Sequence, residues 1–555
     1  MHQASGRLTV EVSRLTATVT TAVTAPFQAM WVLGGAGVVR PYHPVALARA
    51  GWTLARWGLG PAGGFSAQAA LAPERTALVD ELGELTFRDL HLRSNSLAAS
   101  LRTRGVGEGD AVAVMCRNHR GFVDVSLAAA KLGADLLYLN TAFAGPQLAE
   151  VLGREKPALV VLDEEFVGML AGAPTVDRVL AWTDGAASGA VTLEDLIAHG
   201  DAADPAPPGR HSRTVILTSG TTGTPKGAPR GNPGLEAAAA LLSRLPLRAR
   251  WRCHIAAPLF HTWGFAHLEL AMLLGTTMVL RRSFDPEGAL RAVSEQRCDS
   301  MVVIPVMLQR ILELPRETLD SYDLSGVRAV AASGSALPGD LGARWMDRFG
   351  DTLYNIYGST EVAYATVAGP DDLRAAPRTA GRPPYATVVK ILDPDGRELP
   401  AGETGRIFVG NSVLFEGYTG GGSKEVVAGL MCTGDVGRFD ESGRLFVEGR
   451  DDEMIVSGGE NVFPQEVEDL LAAHEKVVEA AVIGVDDEQF GARVRAFVVP
   501  SAPDALTEDD VKGYVRQNLA RYKVPREVVF LDRLPRNATG KVLKRELLEH
   551  DLEAR

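Results

Sequence analysis

Cysteine is scarce in this sequence. The 555 residues contain four, Cys116, Cys253, Cys298 and Cys432, which lie far apart. No CxxC pair and no cluster of cysteine with histidine stands out, which argues against a zinc site and against a disulfide framework. This low and scattered cysteine content predicts a protein of the reducing cytoplasm. Internal repeats and low-complexity tracts are also missing, so the sequence does not predict a solenoid or a disordered chain.

An excess of basic charge is missing as well. The chain has 57 basic and 69 acidic side chains and a formal net charge of −12. This balance argues against a globally basic surface, so we expect no nucleic-acid partner. A hydrophobic fraction of 46% and a charged fraction of 23% are typical of globular proteins. At about 150 residues per domain, the length predicts two to four domains with buried cores.

The start of the chain has an uncharged run, from Leu15 to Val39, that invites a transmembrane interpretation. We reject it because five threonines, Pro26 and a glycine cluster interrupt the run, and no secretory signal is evident. The next stretch, from Pro44 to Leu59, has helical spacing that places apolar side chains on one face: Val45, Ala48, Trp52, Ala55 and Leu59. This face either packs on the main domain or contacts lipid. We assign residues 1–62 to an N-terminal extension and leave open a peripheral membrane contact through it.

From Glu74 onward the pattern is that of an α/β protein. Ala/Leu-rich helical segments such as Asp124 to Leu132 separate short apolar runs that are typical of buried strands: Ala111 to Met115, Leu136 to Leu139 and Ala158 to Leu162. This alternation favours parallel sheets covered by helices. A polar cluster from Gly449 to Glu453 suggests a boundary, beyond which about a hundred residues are enough for a small α+β domain.

One loop has the composition of a phosphate cradle. The predicted strand Thr214 to Thr218 continues into Ser219-Gly220-Thr221-Thr222-Gly223-Thr224-Pro225-Lys226-Gly227. Small residues leave backbone N–H groups and hydroxyls exposed to phosphate oxygens, and the lysine adds charge. Pro225 before the lysine and the lack of a GK[ST] step disfavour a Walker A loop. The candidate phosphate-binding residues are Thr218, Ser219, Gly220, Thr221, Thr222, Gly223 and Lys226.

This string resembles the phosphate loop of the adenylate-forming superfamily, which includes acyl-CoA synthetases, aryl-CoA ligases, firefly luciferase and the adenylation domains of peptide synthetases. Further strings resemble the family's segments in the family's order: Ser333 to Pro338, Tyr357 to Glu361, Thr433 to Asp435, Gly449 to Asp452, Ser457 to Asn461 and Pro535 to Lys541. The resemblance covers nearly everything from Glu74 to Leu548. It implies an α/β fold with a large AMP-binding domain of layered sheets and helices, residues 63–450. A small mobile α+β domain, residues 451–555, follows and carries the catalytic lysine.

The resemblance implies which residues bind the nucleoside. Tyr357 offers a flat ring for the adenine, and Gly334 has no side chain to obstruct the opposite face. Asp435 can accept hydrogen bonds from the ribose diol, with Arg450 as a second anchor. The adenine and ribose candidates are Gly334, Ser335, Ala336, Asn355, Tyr357, Gly358, Asp435 and Arg450.

The catalytic candidates are Lys541, Thr360 and Glu361. A carboxylate that attacks the α-phosphate brings two anions together, so a cation such as Lys541 is needed there. Thr360 can donate its hydroxyl to the α-phosphate. Glu361 is a hard oxygen ligand for Mg²⁺ and, by resemblance, Thr221 shares the metal.

Three further roles follow from the resemblance. His261, within Pro258 to Gly264, is a gate candidate at the acyl channel and not a general base, because a carboxylic acid is already ionised at neutral pH. Asp452 stands where the family swivels its C-terminal domain, which would withdraw Lys541 before thioester formation. Gly458 and Gly459 would line the channel for the coenzyme A thiol.

We therefore predict an acid–thiol ligase that uses ATP, Mg²⁺ and coenzyme A. It would convert a medium- or long-chain fatty acid to acyl-AMP and pyrophosphate, and then to acyl-CoA. Between Cys253 and Glu269 there is no acidic residue to pair with an amino acid's α-amino group, and Ile356 stands where many relatives have glycine. The alternatives are an acyl-AMP ligase that loads a carrier protein and a non-catalytic acyl- or nucleotide-binding relative. Whether the chain forms a homodimer is left open.

Overall fold

The computed structural model describes residues 28–553 except 186–188, 218–225, 231–233, 420, 458–459, 488–490, 504 and 538–539. Within this part the chain forms a large α/β N-terminal domain and a smaller C-terminal domain. The layered α/β architecture predicted from the alternation of apolar strands and helices is thereby confirmed.

Three helices come first: α1 (28–35), α2 (Pro44–Trp57) and α3 (Pro61–Leu71). Helix α2 begins at Pro44, a good first helical residue, and His43 caps it by accepting a hydrogen bond from the Val45 N–H. Its buried residues are Ala50 and Trp57. Among the described helices, none combines the length and the apolar character needed to cross a bilayer.

The expectation that the apolar face of α2 packs on the main domain is wrong. Val45 is 51% exposed, Trp52 71% and Leu59 47%. The helix instead buries the opposite face, around Ala50 and Trp57, so the apolar face predicted from the spacing points to solvent.

The chain continues with an α/β segment that builds the whole of a six-stranded sheet and supplies its first two strands to the next sheet. Its elements are β1 (Thr76–Asp80), β2 (Gly83–Thr86), α4 (Phe87–Thr103), β3 (Ala111–Met115), α5 (Arg120–Leu132), β4 (Asp135–Tyr138), α6 (Gly145–Glu155), β5 (Leu159–Asp163), β6 (Asp177–Trp182), α7 (Leu193–His199), β7 (Thr214–Leu217) and β8 (Gly227–Arg230). Six of these strands form a sheet in the order β6-β5-β3-β4-β7-β8, parallel except for the β7–β8 hairpin. The predicted phosphate loop falls between these two strands in the sequence, and its residues 218–225 lie outside the described part of the chain.

The second α/β segment follows. Its elements are α8 (Leu235–Leu242), β9 (Arg252–Ile255), α9 (Thr262–Leu274), β10 (Thr277–Val279), α10 (Pro286–Glu295), β11 (Ser300–Val303), α11 (Pro305–Leu312), α12 (Arg316–Asp320), β12 (Ala329–Ala332), α13 (Gly339–Phe349), β13 (Leu353–Tyr357), β14 (Thr366–Ala368) and α14 (Pro370–Ala375). The eight-stranded sheet has the order β14-β13-β12-β11-β9-β10-β1-β2. Its central strands are parallel, so their carboxyl ends share one edge, which is where such sheets bind ligands.

Helix α5 lies in the core between these layers. All of its residues are buried, including three with ionisable side chains. Arg120 pairs with Asp80 at 2.9 Å, and Asp124 pairs with Arg93 at 2.7 Å. Because a buried charge is costly unless it is paired, these ion pairs let a polar sequence occupy the centre of the domain.

The remaining two sheets are mainly antiparallel. The third has β15 (Val388–Leu392), β16 (Gly405–Gly410), β17 (Val426–Val427), β18 (Leu430–Phe439) and β19 (Leu445–Arg450). After a 3₁₀ turn at Asp451–Glu453, the C-terminal domain has β20 (Ile455–Ser457), β21 (Glu460–Val462), α15 (Pro464–Ala472), β22 (Val477–Asp487), β23 (Gly491–Pro500), α16 (Glu508–Asn518), β24 (Glu527–Phe530) and α17 (Lys544–Glu553).

All four cysteines are buried and none forms a disulfide. The structure does bring Cys116, His119 and Asp163 together, a Cys/His grouping that the sequence analysis overlooked. His119 Nε2 lies 2.8 Å from Asp163 Oδ1, and His119 Nδ1 accepts the Gly121 N–H. Both imidazole nitrogens are thus engaged, Nδ1 as the cap of α5 and Nε2 with the buried Asp163, so the grouping serves the core.

Candidate active site

One large cavity runs through the N-terminal domain and reaches the C-terminal domain. Its volume is about 1540 Å³. Every predicted site residue within the described part of the chain lines it: Lys226, His261, Gly334, Ser335, Ala336, Asn355, Tyr357, Gly358, Thr360, Glu361, Asp435, Arg450, Asp452 and Lys541. Residues more than 300 positions apart in the sequence are therefore assembled around one space.

Some predicted residues lie outside the described part of the chain. These are the phosphate-loop residues Thr218, Ser219, Gly220, Thr221, Thr222 and Gly223, with Thr221 also predicted as a metal ligand, and the channel glycines Gly458 and Gly459. The strand before the loop and Lys226 after it are described, and both line the cavity through Ile216, Leu217 and Lys226.

At the predicted nucleoside end of the cavity, Tyr357, Asp435 and Arg450 form one polar group of hydrogen bonds and ion pairs. The Tyr357 hydroxyl donates to Asp435 Oδ2 at 2.5 Å, and Arg450 Nη1 lies 3.5 Å from Asp435 Oδ1. Strands β18 and β19 pair Asp435 directly with Arg450, which fixes this spacing. Burial raises the pKa of Asp435, and the Tyr357 hydroxyl, Arg450 and Lys541 act in the opposite direction. The group presents a carboxylate and a guanidinium to the cavity, as diol recognition requires.

Glu361 is held by Tyr418, a residue that the sequence analysis did not select. The Tyr418 hydroxyl donates to Glu361 Oε1 at 2.8 Å. Burial raises the pKa of Tyr418, and Glu361 adds to the shift. The same ring lies 5.4 Å from the Lys226 ammonium, at cation–π distance. Tyr418 therefore orients one predicted metal ligand and one predicted phosphate-binding cation.

Lys541 reaches the cavity from a turn of the C-terminal domain. Asn537 closes this turn, because its N–H donates to the Lys541 carbonyl and its Oδ1 accepts the Lys541 N–H, each at 2.9 Å. Gly540 has a φ of +76°, and a Cβ there would lie 2.6 Å from Val306 Cγ1 of the N-terminal domain. The turn thus needs glycine both for its backbone conformation and for its close approach.

Three ion pairs that involve the C-terminal domain border the cavity. Arg378 of the N-terminal domain lies 2.9 Å from Asp469 of α15. Lys544, which begins α17, lies 3.0 Å from both Glu453 and Glu468. These contacts raise the pKa of Lys544 against the effect of burial, so the lysine stays charged.

The 3₁₀ turn Asp451–Glu453 contains the predicted hinge residue Asp452, and none of its three acidic residues is buried. The Asp452 carboxylate accepts from Arg450 Nε at 3.0 Å. Arg450 thus lies between Asp435 of the nucleoside group and Asp452 of the 3₁₀ turn. This arrangement links residues that are predicted to bind the nucleotide to the segment about which the C-terminal domain is predicted to turn.

The opposite end of the cavity is lined mainly by apolar side chains, with Gln68 of α3 and Glu269 of α9 among them. His261 precedes α9 and lies at the junction, with its ring centre 4.6 Å from that of Phe260. Burial lowers the pKa of His261 to about 4, so the imidazole is neutral at pH 7. Its Nε2 is buried and makes no hydrogen bond within the described part of the chain. A neutral, buried imidazole fits a gate better than a proton acceptor.

Beyond His261 the cavity walls come from four helices. Helices α8 and α9 contribute Ala237, Leu241, Trp263, Leu270 and Leu273, and helices α2 and α3 contribute Ala50, Leu54, Ala67 and Leu71. Ile356 also lines the cavity, as predicted from its place beside Tyr357. The N-terminal extension thereby forms part of the cavity, a role that no motif in its sequence indicated.

The comparisons with known proteins agree with this arrangement. The family model described as "AMP-binding enzyme" matches residues 65–419, and "AMP-binding enzyme C-terminal domain" matches residues 466–541. A feruloyl-CoA synthase from an Amycolatopsis species is 34% identical over 492 residues, which cover 86% of this chain and 96% of the relative. An indoleacetate–CoA ligase from Aromatoleum aromaticum is 34% identical over 487 residues, which cover 86% of this chain and 95% of the relative.

A solved structure shares the architecture. The o-succinylbenzoate CoA synthetase from Bacillus subtilis, in complex with its acyl-adenylate intermediate, matches with a TM-score of 0.76 and 27% sequence identity. The match covers 87% of this chain and 97% of the other.

Proposed function

This chain belongs to the AMP-binding enzyme family and is an ATP-dependent acid–CoA ligase that works through an acyl adenylate, and we propose that its acid is a medium- or long-chain fatty acid. Its substrates are the acid, ATP and coenzyme A, with Mg²⁺ as cofactor. The observation that supports the fatty acid is the apolar end of the cavity, which extends past His261 to helices α2 and α3.

Length and apolarity are the two properties that this end of the cavity offers. Four of its wall residues from α2 and α3, Ala50, Leu54, Ala67 and Leu71, are aliphatic, and the amide of Gln68, also in α3, donates to the Met272 carbonyl. An extended hydrocarbon chain would remove apolar surface from water along the whole path, at about 25 cal/mol per Å². An acid with a compact ring would leave the end of the cavity at α2 and α3 empty.

The reaction consists of two displacements at one place. First, a carboxylate oxygen attacks the α-phosphorus of ATP, the bond from that phosphorus to the bridging oxygen breaks, and pyrophosphate leaves. Then the coenzyme A sulfur attacks the carbonyl carbon, the C–O bond to AMP breaks, and the thiol proton is released. We propose that Lys541 and Thr360 stabilise the charge that develops on the phosphate oxygens in the first step.

The residues present fit Mg²⁺, because the described side chains near the predicted metal position are oxygen donors. Glu361 and Thr360 both line the cavity, and Tyr418 fixes the Glu361 carboxylate at 2.8 Å. When bound, the ion neutralises phosphate charge. Glu361 would hold it, and Tyr418 would keep that carboxylate oriented.

Lys541 lies at the cavity in this structure, so we propose that it represents the arrangement for adenylation. Thioester formation would then require the C-terminal domain to turn about Asp452, which removes Lys541 and brings a thiol channel at Gly458 and Gly459. One site can thereby carry out two unlike steps.

An aryl or ring-containing acid is the second candidate. Trp263 lines the cavity close to His261 and offers a flat surface, with its indole N–H fixed by the Val303 carbonyl at 3.1 Å. Two relatives, by their names, act on feruloyl and indoleacetate groups. A ring stacked there would leave the α2 end of the cavity empty.

A panel of acids tests the two candidates. Medium- and long-chain saturated fatty acids, ferulic acid, indole-3-acetic acid and 2-succinylbenzoic acid would be compared by kcat/KM for coenzyme A thioester formation. We expect the fatty acids to exceed the ring acids by at least about tenfold, which is about 1.4 kcal/mol. A preference for a ring acid would overturn the fatty-acid assignment.

A substitution in the cavity wall tests where the acyl chain of the substrate lies. Leu54→Trp on the inner face of α2 should lower kcat/KM for the longest acid while sparing shorter ones, because the new ring fills the far end. Ala48→Trp on the outer face is the matched control.

The carrier-loading alternative has its own test. Thioester formation on a phosphopantetheinyl protein, but not on free coenzyme A, would identify it.

A further inference from the structure

The two faces of α2 have different environments. On the inner face Ala50 and Leu54 line the cavity. On the outer face Val45 and Trp52, seven residues apart, are 51% and 71% exposed, and Leu59, two residues beyond the end of the helix, is 47% exposed. The seven-residue spacing places Val45 and Trp52 on one side of the helix, and we call these two residues and Leu59 the apolar stripe. A large apolar stripe left in water on an otherwise ordinary surface indicates a binding surface.

The charge of the N-terminal segment that carries this stripe has one sign. Residues 28–73 contain three basic residues, Arg40, Arg49 and Arg56, and no aspartate, glutamate or lysine, whereas the whole chain has a net charge of −12. Arg49 is exposed beside the stripe. An anionic surface would be attracted to this part of an otherwise acidic protein. In a symmetric dimer through the same face, arginine would meet arginine, which disfavours a second copy as the occupant.

The composition of the stripe favours a lipid surface over a protein groove. Tryptophan is enriched at the headgroup level of bilayers, and arginine can lay its aliphatic stem on apolar surface while its charge stays in water. Trp52 occupies the middle of the stripe, and Trp31 of the preceding helix is 82% exposed. This combination is typical of helices that lie in the plane of a membrane interface.

The cavity meets this surface. Leu59 lines the cavity and is also 47% exposed at the end of the stripe. We infer that the surface formed by Val45 and Trp52 of α2 and by Leu59 just beyond the helix docks on an anionic lipid bilayer, and that the acid passes from the bilayer into the cavity beside Leu59. This route rests on the proposed fatty-acid function, whereas the docking itself can be measured without turnover.

Vesicle sedimentation of the full chain, without ATP or acid, tests the docking. We expect binding to vesicles of equal parts phosphatidylglycerol and phosphatidylcholine, at least tenfold weaker binding to phosphatidylcholine alone, and loss of binding at high salt. Trp52→Glu should reduce binding to the mixed vesicles at least tenfold. Leu82→Glu, at a residue that is 58% exposed in the turn between β1 and β2, should have no effect.

Turnover then tests the route. Trp52→Glu should leave unchanged the pyrophosphate release with the most water-soluble acid that the enzyme accepts, and should slow turnover of a long-chain acid supplied in vesicles. No vesicle binding by the natural sequence, or equal binding by Trp52→Glu, overturns the proposal. A dimer on gel filtration that Trp52→Glu dissociates would also overturn it. Vesicle binding that emerges only after removal of residues 1–27 would do the same.

Discussion

Arg378 Nη2 lies 2.9 Å from Asp469 Oδ2, and this ion pair joins the N-terminal domain to α15 while Lys541 lines the cavity. Arg378→Ala should slow adenylation, because it removes a contact that favours this arrangement. A partly exposed pair contributes about 1 kcal/mol or less, so we expect at most about a fivefold effect on single-turnover pyrophosphate release. Thioester formation from supplied acyl-AMP should not slow. Arg374→Ala, which removes ion pairs within the N-terminal domain, is the control.

Gly540→Ala should impair the first half-reaction selectively. The new Cβ would lie 2.6 Å from Val306 Cγ1 at a φ of +76°, so the turn that carries Lys541 must shift. A displacement of about 1 Å can cost about a hundredfold in rate. Gly513→Ala in α16 has open space around its Cβ and should be silent. Rapid-quench assays of each half-reaction would measure the difference, and equal loss in both would contradict the assignment.

Tyr418→Phe should weaken the use of Mg²⁺-ATP. The change removes the 2.8 Å hydrogen bond to Glu361 but keeps the ring beside Lys226. A lost hydrogen bond of about 1 kcal/mol predicts about a fivefold rise in the Mg²⁺ concentration needed for half-maximal rate. Glu361→Gln should have a larger effect in the same assay, and the two changes together should be less than additive. Additive effects would show that Tyr418 acts independently of Glu361.

Asp452→Pro should allow adenylation and slow thioester formation. Proline fixes φ near −65° and removes a backbone donor, which hinders the turn of the C-terminal domain. Bound acyl-AMP should therefore accumulate in a rapid-quench experiment. Asp452→Ala separates this effect from the loss of the 3.0 Å contact with Arg450 and should retain both half-reactions. A folded Asp452→Pro protein with an unchanged thioester rate would place the hinge elsewhere.

Stability should fall as the pH is lowered from 6.5 to 4. Burial lowers the pKa values of His254 and His267 to about 4, below that of an exposed histidine. Between pH 6.5 and pH 4 these histidines bind protons in the unfolded chain but not in the folded protein. Each histidine therefore lowers the free energy of unfolding by about 2 kcal/mol between pH 6.5 and pH 5. Urea midpoints at several pH values would measure this loss. His267→Gln should flatten the dependence, whereas exposed His199→Gln should not.

The candidate catalytic and binding motifs could be predicted from the sequence because the residues of each motif are close together in the chain. Gly334, Tyr357, Glu361, Asp435 and Lys541 lie in short motifs whose residue types suit their chemistry, and the structure brings all five to one cavity. Their roles stay predictions until the half-reactions are measured. The same reasoning located the strand Ala111–Met115 to the residue.

Other features depend on contacts that a linear pattern does not contain. Tyr418 reaches Glu361 across 57 positions, and no local motif marks it. Helix α5 begins at Arg120, before its predicted start, because His119 caps it with a ring nitrogen in place of the usual hydroxyl or carboxylate. The apolar spacing of α2 predicted a helix correctly, but periodicity alone could not determine which side faces solvent.

The burial of the four cysteines has a consequence for an enzyme whose second substrate is a thiol. Cys116, Cys253, Cys298 and Cys432 are each at most 5% exposed, and burial raises the pKa values of the first three. Sulfur in this state is a poor nucleophile and is out of reach of a dissolved disulfide. Oxidised coenzyme A should therefore not form mixed disulfides with the folded protein, and its ligase activity should persist through oxidative stress that inactivates thiol-dependent enzymes.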